Sequence, residues 1–387
     1  MTKGTILIAG SLAQRPGIGG HVWVFLQWLL GFRRLGFDVI FLDWLDQPMC
    51  TDDAGKPCRV EDSKQLRQFV RVMEEHGLGG AFSLNFDQGK KTFGLPRKIV
   101  IERAKSAAFL LNVMGFLGDF EILAAVPQRV FLDIDPGFGQ MWQELGLAAV
   151  FGGHHRYVTI GENIGRADCD VPTCGLDWIT TPHPVVLDRW PVAGEKPRHG
   201  FTSIASWRGP FGPVEYHGKT YGLRVHEFRK FAQLPKLSHA EFDLALDIHP
   251  VEEKDIALLR DNGWTLLDPA AAAGDPSDYR EFVQGSKAEV MIAKHLYVET
   301  RGGWFSDRSI CYLASGRPVL AQDTGFSRNY PTGRGLIAFS TLEEAVAGVK
   351  EINANYETHR RAARDIAAEF FDSDKVLRRL LDALCRT

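Results

Sequence analysis

No apolar run in the sequence approaches the roughly 20 residues that a membrane-crossing helix needs. The most apolar helical stretch, Val22 to Phe32, reaches about half that length. It reads as a buried helix, with membrane contact through Trp23 and Trp28 peripheral at most. Cysteine is scarce, six in 387 residues, so a disulfide scaffold is not expected. Cys50 lies near Cys58 and Cys169 near Cys174, but neither pair has C-x-x-C spacing. Reduced thiols and no metal are expected. The dinucleotide fingerprint G-x-G-x-x-G is missing after the first strand, which disfavours a nicotinamide dehydrogenase. Charge of either sign is not in excess: the net value is −3, which gives no global pull toward nucleic acid or anionic lipid. Nucleic acid is therefore not expected as a partner, and any phosphate binding has to be local. The first strand-like run, Thr5 to Ala9, is too short and lacks the basic flank of a secretory signal, so a cytoplasmic location is expected.

What is present has the texture of a globular α/β enzyme. Hydrophobic residues make up 45% and charged residues 24%, and the length suits two or three domains. TILIAG reads as a buried strand, SLAQRPGIGG as a loop, HVWVFLQWLLGFRRLG as a helix stopped at Gly36, and DVIFLDWLD as a second strand. Strand, glycine loop, helix and strand make a βαβ unit, so a parallel sheet is expected. The alternation continues to RVFLDIDPG and HHRYVTIGEN, and then TTPHPVVLDRWPVAGEKPRHG breaks it with prolines. That stretch reads as a linker. Alternation restarts at FTSIASW and runs through FDLALDIH, AEVMIAK, PVLAQD and LIAFS to C-terminal helices, with Thr341 and the glutamates after it marking a helix start. Ala270 to Ala273 reads as a loop. The divisions expected are residues 1–185, 186–365 and 366–387.

In open parallel sheets, ligands gather at the carboxyl ends of strands, and five segments there carry suitable chemistry. GIGGHVW places Gly19 and Gly20 before a helix start, where backbone can approach an anion. His21 in that first turn is a candidate general base, against the plainer reading of a structural histidine. DIDPG puts Asp133 and Asp135 at a strand end, as candidates for orienting a histidine, holding a substrate hydroxyl or binding a metal; a solvated turn explains them equally. FGGHHRYVTIGENIG brings His154, His155, Glu162 and Asn163 near one strand, suited to a hydroxyl-rich acceptor. ASWRGPFGPVEYHGKTYG offers Arg208 and Lys219 to a diphosphate and Trp207 to a base or sugar. GGWFSDRSICYLASG sets Ser306 as N-cap with Asp307, Arg308 and Ser309 in the first helical turn, a ready anion site. Thr324 and Gly325 of DTGFS follow the next strand and would face the same pocket.

The run Leu313-Ala-Ser-Gly-Arg-Pro-Val-Leu320, with Asp323-Thr-Gly325 and Gly335-Leu-Ile-Ala338, resembles the donor domain of GT-B glycosyltransferases. The resemblance implies two Rossmann-like domains facing a cleft. Residues 1–185 would be the acceptor side, residues 186–365 would bind a nucleotide-diphosphate sugar, and a final helix from 366 would return to the first domain. Two departures matter. Retaining members related to sucrose and trehalose-phosphate synthases carry a glutamate pair, and here Cys311 and Gly303 occupy those places. Inverting members related to antibiotic glycosyltransferases often have a histidine where His21 stands, but their usual donor-domain histidine–glycine signature is not evident here. The resemblance therefore implies an inverting, metal-independent transfer to a small-molecule or glycan hydroxyl. No bound cofactor is expected beyond the nucleotide sugar as co-substrate, and a homodimer is compatible. A sugar-nucleotide epimerase or hydrolase of the same fold, and a non-catalytic two-lobed binding protein, are the alternatives.

Overall fold

The apolar run Thr5–Ala9 (β1) lies between two parallel neighbours, with Ile6, Leu7 and Ile8 fully buried, in the computed structural model, which describes residues 2–194 and 196–385. A strand covered on both faces carries no polar alternation, and β1 has none. Ile6 and Ile8 face the helix Gly19–Arg34, whereas Leu7 and Ala9 pack under the helix Arg97–Lys105. Around β1 the first sheet adds Asp38–Leu45 (β2), Phe82–Phe86 (β3), Lys91–Gly94 (β4), Ala107–Val113 (β5), Arg129–Asp133 (β6), Arg156–Thr159 (β7) and Trp178–Thr180 (β8). Its order is β4-β3-β2-β1-β5-β6-β7-β8, parallel except for the edge strand β4.

The second sheet begins at His199–Ser206 (β9). After it come a hairpin of Val214–Tyr216 (β10) and Lys219–Tyr221 (β11), then Phe242–Asp247 (β12), Trp264–Leu267 (β13), Ser286–Met291 (β14), Val319–Gln322 (β15) and Leu336–Phe339 (β16). The hairpin stands apart, and the sheet order is β13-β12-β9-β14-β15-β16, all parallel. Both sheets reverse their order beside the first strand of the lobe, between β1 and β5 and between β9 and β14.

Two expectations need adjustment, and a third, the helix start at Thr341, is met in full. Ala270 to Ala273 is not a loop: Pro269–Ala273 is a short helix whose N-cap Asp268 accepts from the Ala270 amide. Thr341 is one half of a reciprocal capping box, because Glu344 also reaches back to the Thr341 amide at 3.2 Å. The proline-rich linker is not a loose tether, since Val185, Val186 and Trp190 are at most 2% exposed.

The chain crosses between lobes twice, and the crossings are joined. Val185 donates to the Phe371 carbonyl at 2.7 Å, and Ser373 donates to the Val185 carbonyl at 2.9 Å. Beyond this point the helix Ser373–Cys385 packs back on Gly19–Arg34, where a side chain at Gly31 would collide with Leu377. No helix of the described residues is long and apolar enough to cross a membrane.

Candidate functional site

The reversal of strand order between β9 and β14 opens a crevice at the carboxyl ends of the second sheet. The loops leaving the two strands are fastened together there, by Leu296 donating to the Gly222 carbonyl at 3.1 Å and Gly222 to His295 Nδ1 at 3.0 Å. Arg224 starts the helix Arg224–Phe228 and donates to the Ile292 carbonyl at 3.0 Å. Burial, and then the charge of Arg308, pull its guanidinium down to about 10. Lys294 follows β14, and its ammonium meets the two carboxylate oxygens of Asp135 at 2.8 and 2.7 Å and the Tyr297 hydroxyl at 3.2 Å. The Tyr297 hydroxyl also donates to Asp135. Asp135 stands on the turn after β6, so this cluster joins the lobes.

The helix Asp307–Ala314 starts nearby. Ser306 caps it, its Oγ accepting from the Arg308 amide at 3.2 Å. Ser306, Arg308 and Ser309 are buried, and Asp307 is the one residue of the four that remains partly exposed. Arg308 turns inward, donating through Nε to Glu289 at 2.5 Å and through Nη1 to the Ile204 carbonyl at 2.7 Å. Its side chain clamps the helix to β14 and β9, which leaves the backbone amides of the first turn as the anion-seeking part of the tip.

Opposite that tip stands His21. Its Nε2 lies 3.2 Å from the Ser11 carbonyl and 3.3 Å from the Ser11 hydroxyl. Donation to the carbonyl assigns the proton to Nε2 and leaves Nδ1 as the basic atom. Burial, followed by the charge of Arg15, lowers the imidazole to about 4, while Asp307 acts in the opposite sense. Asp307 exerts the same pull on the buried His183. The loop carrying Ser11 is held by Asp43, which accepts from the Ala13 amide at 2.7 Å, the Trp44 amide at 2.7 Å and Gln14 at 3.2 Å. Burial raises the Asp43 carboxyl to about 7 against those donors.

Other residues expected at the site are placed elsewhere. Gly19 and Gly20 serve packing between lobes: a Cβ on Gly19 would lie 2.4 Å from the Asp275 carbonyl, and one on Gly20 would lie 2.9 Å from Tyr279. Trp207 is 1% exposed and donates its indole N–H to Asp255 at 2.9 Å. Arg208 is taken up by Glu252, and Lys219, on the hairpin, lies 3.5 Å from Asp170. Asp133 is buried and holds its own turn, accepting from Gln140 at 2.6 Å and Thr159 at 3.0 Å, with burial raising it to about 6. His154 and His155 precede β7 and so lie at its amino end, away from the crevice; His154 binds Asn112 at 3.0 Å, and His155 faces Arg129 at 2.7 Å. Glu162 accepts from the Tyr330 hydroxyl, and burial raises it to about 7. Thr324 is buried and donates to the Trp304 carbonyl, and Gly325 makes a left-handed turn at φ 91°.

Asn163 is a clasp between lobes. Its Nδ2 donates to the carbonyls of Arg301 and Gly325, each at 3.0 Å, and its Oδ1 accepts from Asn329 at 3.1 Å. Gly303 sits against it, where a Cβ would come within 2.8 Å of the Asn163 side chain. Cys311 is buried 3.9 Å from Gln27 of the first lobe. Both places where retaining enzymes would carry glutamates are therefore filled by contacts between lobes. Arg224, Lys294 and Tyr297 escaped the sequence reading. The only signal was their position just after strand-like or helix-starting runs, which a single sequence does not distinguish from ordinary surface.

No protein-family model matches the sequence, and no curated protein matches it. Solved structures match over its whole length. An alpha-glucosyltransferase in complex with UDP and a 13-mer DNA containing an HMU base superposes with a TM-score of 0.60 at 12% identity, over 100% of both chains. A glycosyltransferase from Rickettsia africae ESF-5 gives 0.56 at 12% identity, again over 100% of both chains. A sucrose-phosphate synthase from Thermosynechococcus elongatus gives 0.53 at 12% identity, over 99% of this chain and 100% of that one. One expectation is corrected by these relatives. The exclusion of nucleic acid drawn from net charge does not stand, because the alpha-glucosyltransferase of the same fold is solved with DNA. Contact with a polyanion depends on where cations lie rather than on their sum. Two Rossmann-like lobes, strand orders that reverse at the crevice, and a last helix returning to the first lobe together give the chain the GT-B glycosyltransferase fold.

Proposed function

We propose that the chain transfers a sugar from a nucleoside-diphosphate sugar to an acceptor hydroxyl, with inversion at the anomeric carbon and without a metal. The observation that carries this reading is the pair of cations at the strand-order reversal, Arg224 and Lys294, facing Asp135 of the other lobe. The diphosphate takes Lys294 from Asp135 and lies between Arg224 and the tip of the Asp307–Ala314 helix. These groups supply the positive charge that the leaving group needs as the bond from anomeric carbon to phosphate oxygen breaks. The acceptor oxygen bonds the anomeric carbon from the opposite face, its proton passes to Nδ1 of His21, and the bonding electrons leave with the diphosphate. Asp307 stabilises the imidazolium that forms, in keeping with its pull on the His21 titration. The crowding at Gly303, where a Cβ would meet Asn163, and the cysteine that stands at 311 in place of a glutamate support inversion over retention.

The test is thermal stabilisation by UDP, GDP, TDP, ADP and their sugars. One nucleotide is expected to raise the melting temperature by several degrees, and Lys294→Ala is expected to weaken its binding at least tenfold. No shift with any of them would remove the donor site from this crevice.

A further inference from the structure

A pocket of about 430 Å³ lies beside the two crossings between lobes, and three parts of the chain wall it. The first lobe supplies Glu162, from the turn after β7, and residues 179–182, which lead from β8 toward the linker. The second lobe supplies Arg328, Asn329 and Tyr330, and the returning chain supplies Phe370, Arg379 and Leu380. Pro182 comes shortly before Val185, and Phe370 directly before Phe371, the residues whose backbones join the crossings. His21, Lys294 and Asp307 are not among its walls, so the pocket is separate from the transfer site.

The polar groups of the pocket differ in whether they are already satisfied. Its one acid is Glu162 and its two cations are Arg328 and Arg379. Arg328 is paired with Asp168 at 2.5 Å. Asn329 is held by Asn163 and Arg166, and the Thr181 hydroxyl donates to the Pro182 carbonyl. Arg379 is exposed and donates to the Phe370 carbonyl at 3.2 Å, with no acidic partner among the described residues. The Thr180 hydroxyl is exposed and has no partner among the described residues either. Tyr330 donates to Oε2 of Glu162, which leaves Oε1 without a partner and open to the pocket. Burial raises that carboxyl to about 7 against the groups that face it, Tyr330 from the second lobe, Arg379 from the last helix and Arg166 from its own loop. Near neutral pH, Oε1 therefore carries a proton in about half of the molecules. An unpaired guanidinium, a protonated carboxyl and a free hydroxyl offer donors to one guest, and Ile179, Pro182, Phe370 and Leu380 offer it apolar surface.

We propose that this pocket binds a small organic anion, a carboxylate on an apolar body, and that the bound anion ties the two crossings together. The carboxylate accepts from Arg379 and from the protonated Glu162, and the apolar body lies along Ile179, Phe370 and Leu380. The site does not depend on the transferase reading given above. Its test uses phenylacetate, with phenylacetamide and inorganic phosphate as comparators, by ligand-observed NMR and amide exchange on the full chain. At pH 6, phenylacetate is expected to bind at least tenfold more tightly than either comparator and to slow exchange of the Val185 and Ser373 amides. Between pH 6 and pH 8 its binding is expected to weaken about tenfold, because Glu162 loses its proton and repels the carboxylate. Arg379→Met removes the preference for the acid over the amide. Glu162→Gln keeps a donor at every pH, so it binds as wild type does at pH 6 and loses the pH dependence. No binding of phenylacetate, equal binding of the amide or of phosphate, an unchanged preference in Arg379→Met, a pH dependence that survives in Glu162→Gln, or protection that spares Val185 and Ser373 overturns the proposal.

Discussion

At the scale of single residues, His21 separates chemistry from binding. His21→Ala is expected to lower transfer by roughly 10²–10⁴-fold while the nucleotide-induced thermal shift persists; turnover within a few-fold of wild type would remove it as the base. Its titration gives a second readout. With the imidazole near 4, kcat/KM is expected to fall only as pH drops through about 4, with no limb near the ordinary histidine value of 6.5. The same shift affects stability. A histidine whose folded pKa is below its unfolded value opposes folding when protonated, so its contribution is complete above 6.5 and is lost as pH falls toward 4. Asp43 behaves in the opposite direction: raised from 3.8 to about 7, its contribution is present below 3.8 and lost as pH rises toward 7. Of the site proposed here, His21, Asp135 and Asp307 were legible in the sequence because motif position marks them. Arg208 and Trp207 were selected for the glycines and aromatics around them, and Glu252 and Asp255 absorb both. No local pattern shows that a distant acid will neutralise a promising base.

At the scale of elements, strands with an apolar centre were readable, the four-residue Val319–Gln322 and Leu336–Phe339 among them, and those without one were not. TILIA, DVIFLDWL and RVFLD announce themselves as buried strands by their apolar centres ILIA, VIFL and VFL. Phe82–Phe86 and Trp178–Thr180 alternate too briefly, and Lys91–Gly94 is an antiparallel edge whose residues are partly or fully exposed. The helix Asp307–Ala314 was anticipated in position and misjudged in wiring. Its arginine serves as a bolt, reaching β14 through Glu289 and β9 through Ile204. Glu289 is fully buried, so Glu289→Ala would strand the guanidinium charge of Arg308 in the core. A loss of about 3–5 kcal/mol is expected in urea denaturation; a loss under 1 kcal/mol would show that the helix is held by its apolar face alone.

At the scale of the whole molecule, the two-lobed plan was legible from the restart of alternation after the prolines, but the way the lobes meet was not. The linker is packed: Trp190 lies against Trp23 at 4.8 Å, and Val185 bonds to the returning chain at Phe371 and Ser373. Asn163 fastens the far side of the interface through the carbonyls of Arg301 and Gly325. Asn163→Ala is expected to speed amide exchange in residues 300–303 and 324–329 while leaving β1 and β9 protected. Unchanged exchange in those segments would mean that the lobes are held elsewhere. These contacts join segments far apart in sequence, where no periodicity or motif reaches.

The return of the last helix has a consequence for biosynthesis. The flank of Gly19–Arg34 that includes Gly31 is covered by Ser373–Cys385, a helix made long after the first lobe. A nascent first lobe thus carries that apolar flank bare until residues 373–385 have emerged from the ribosome. Chaperone occupancy on stalled chains should accordingly stay high in chains stalled before that helix has emerged, and drop in chains stalled after it.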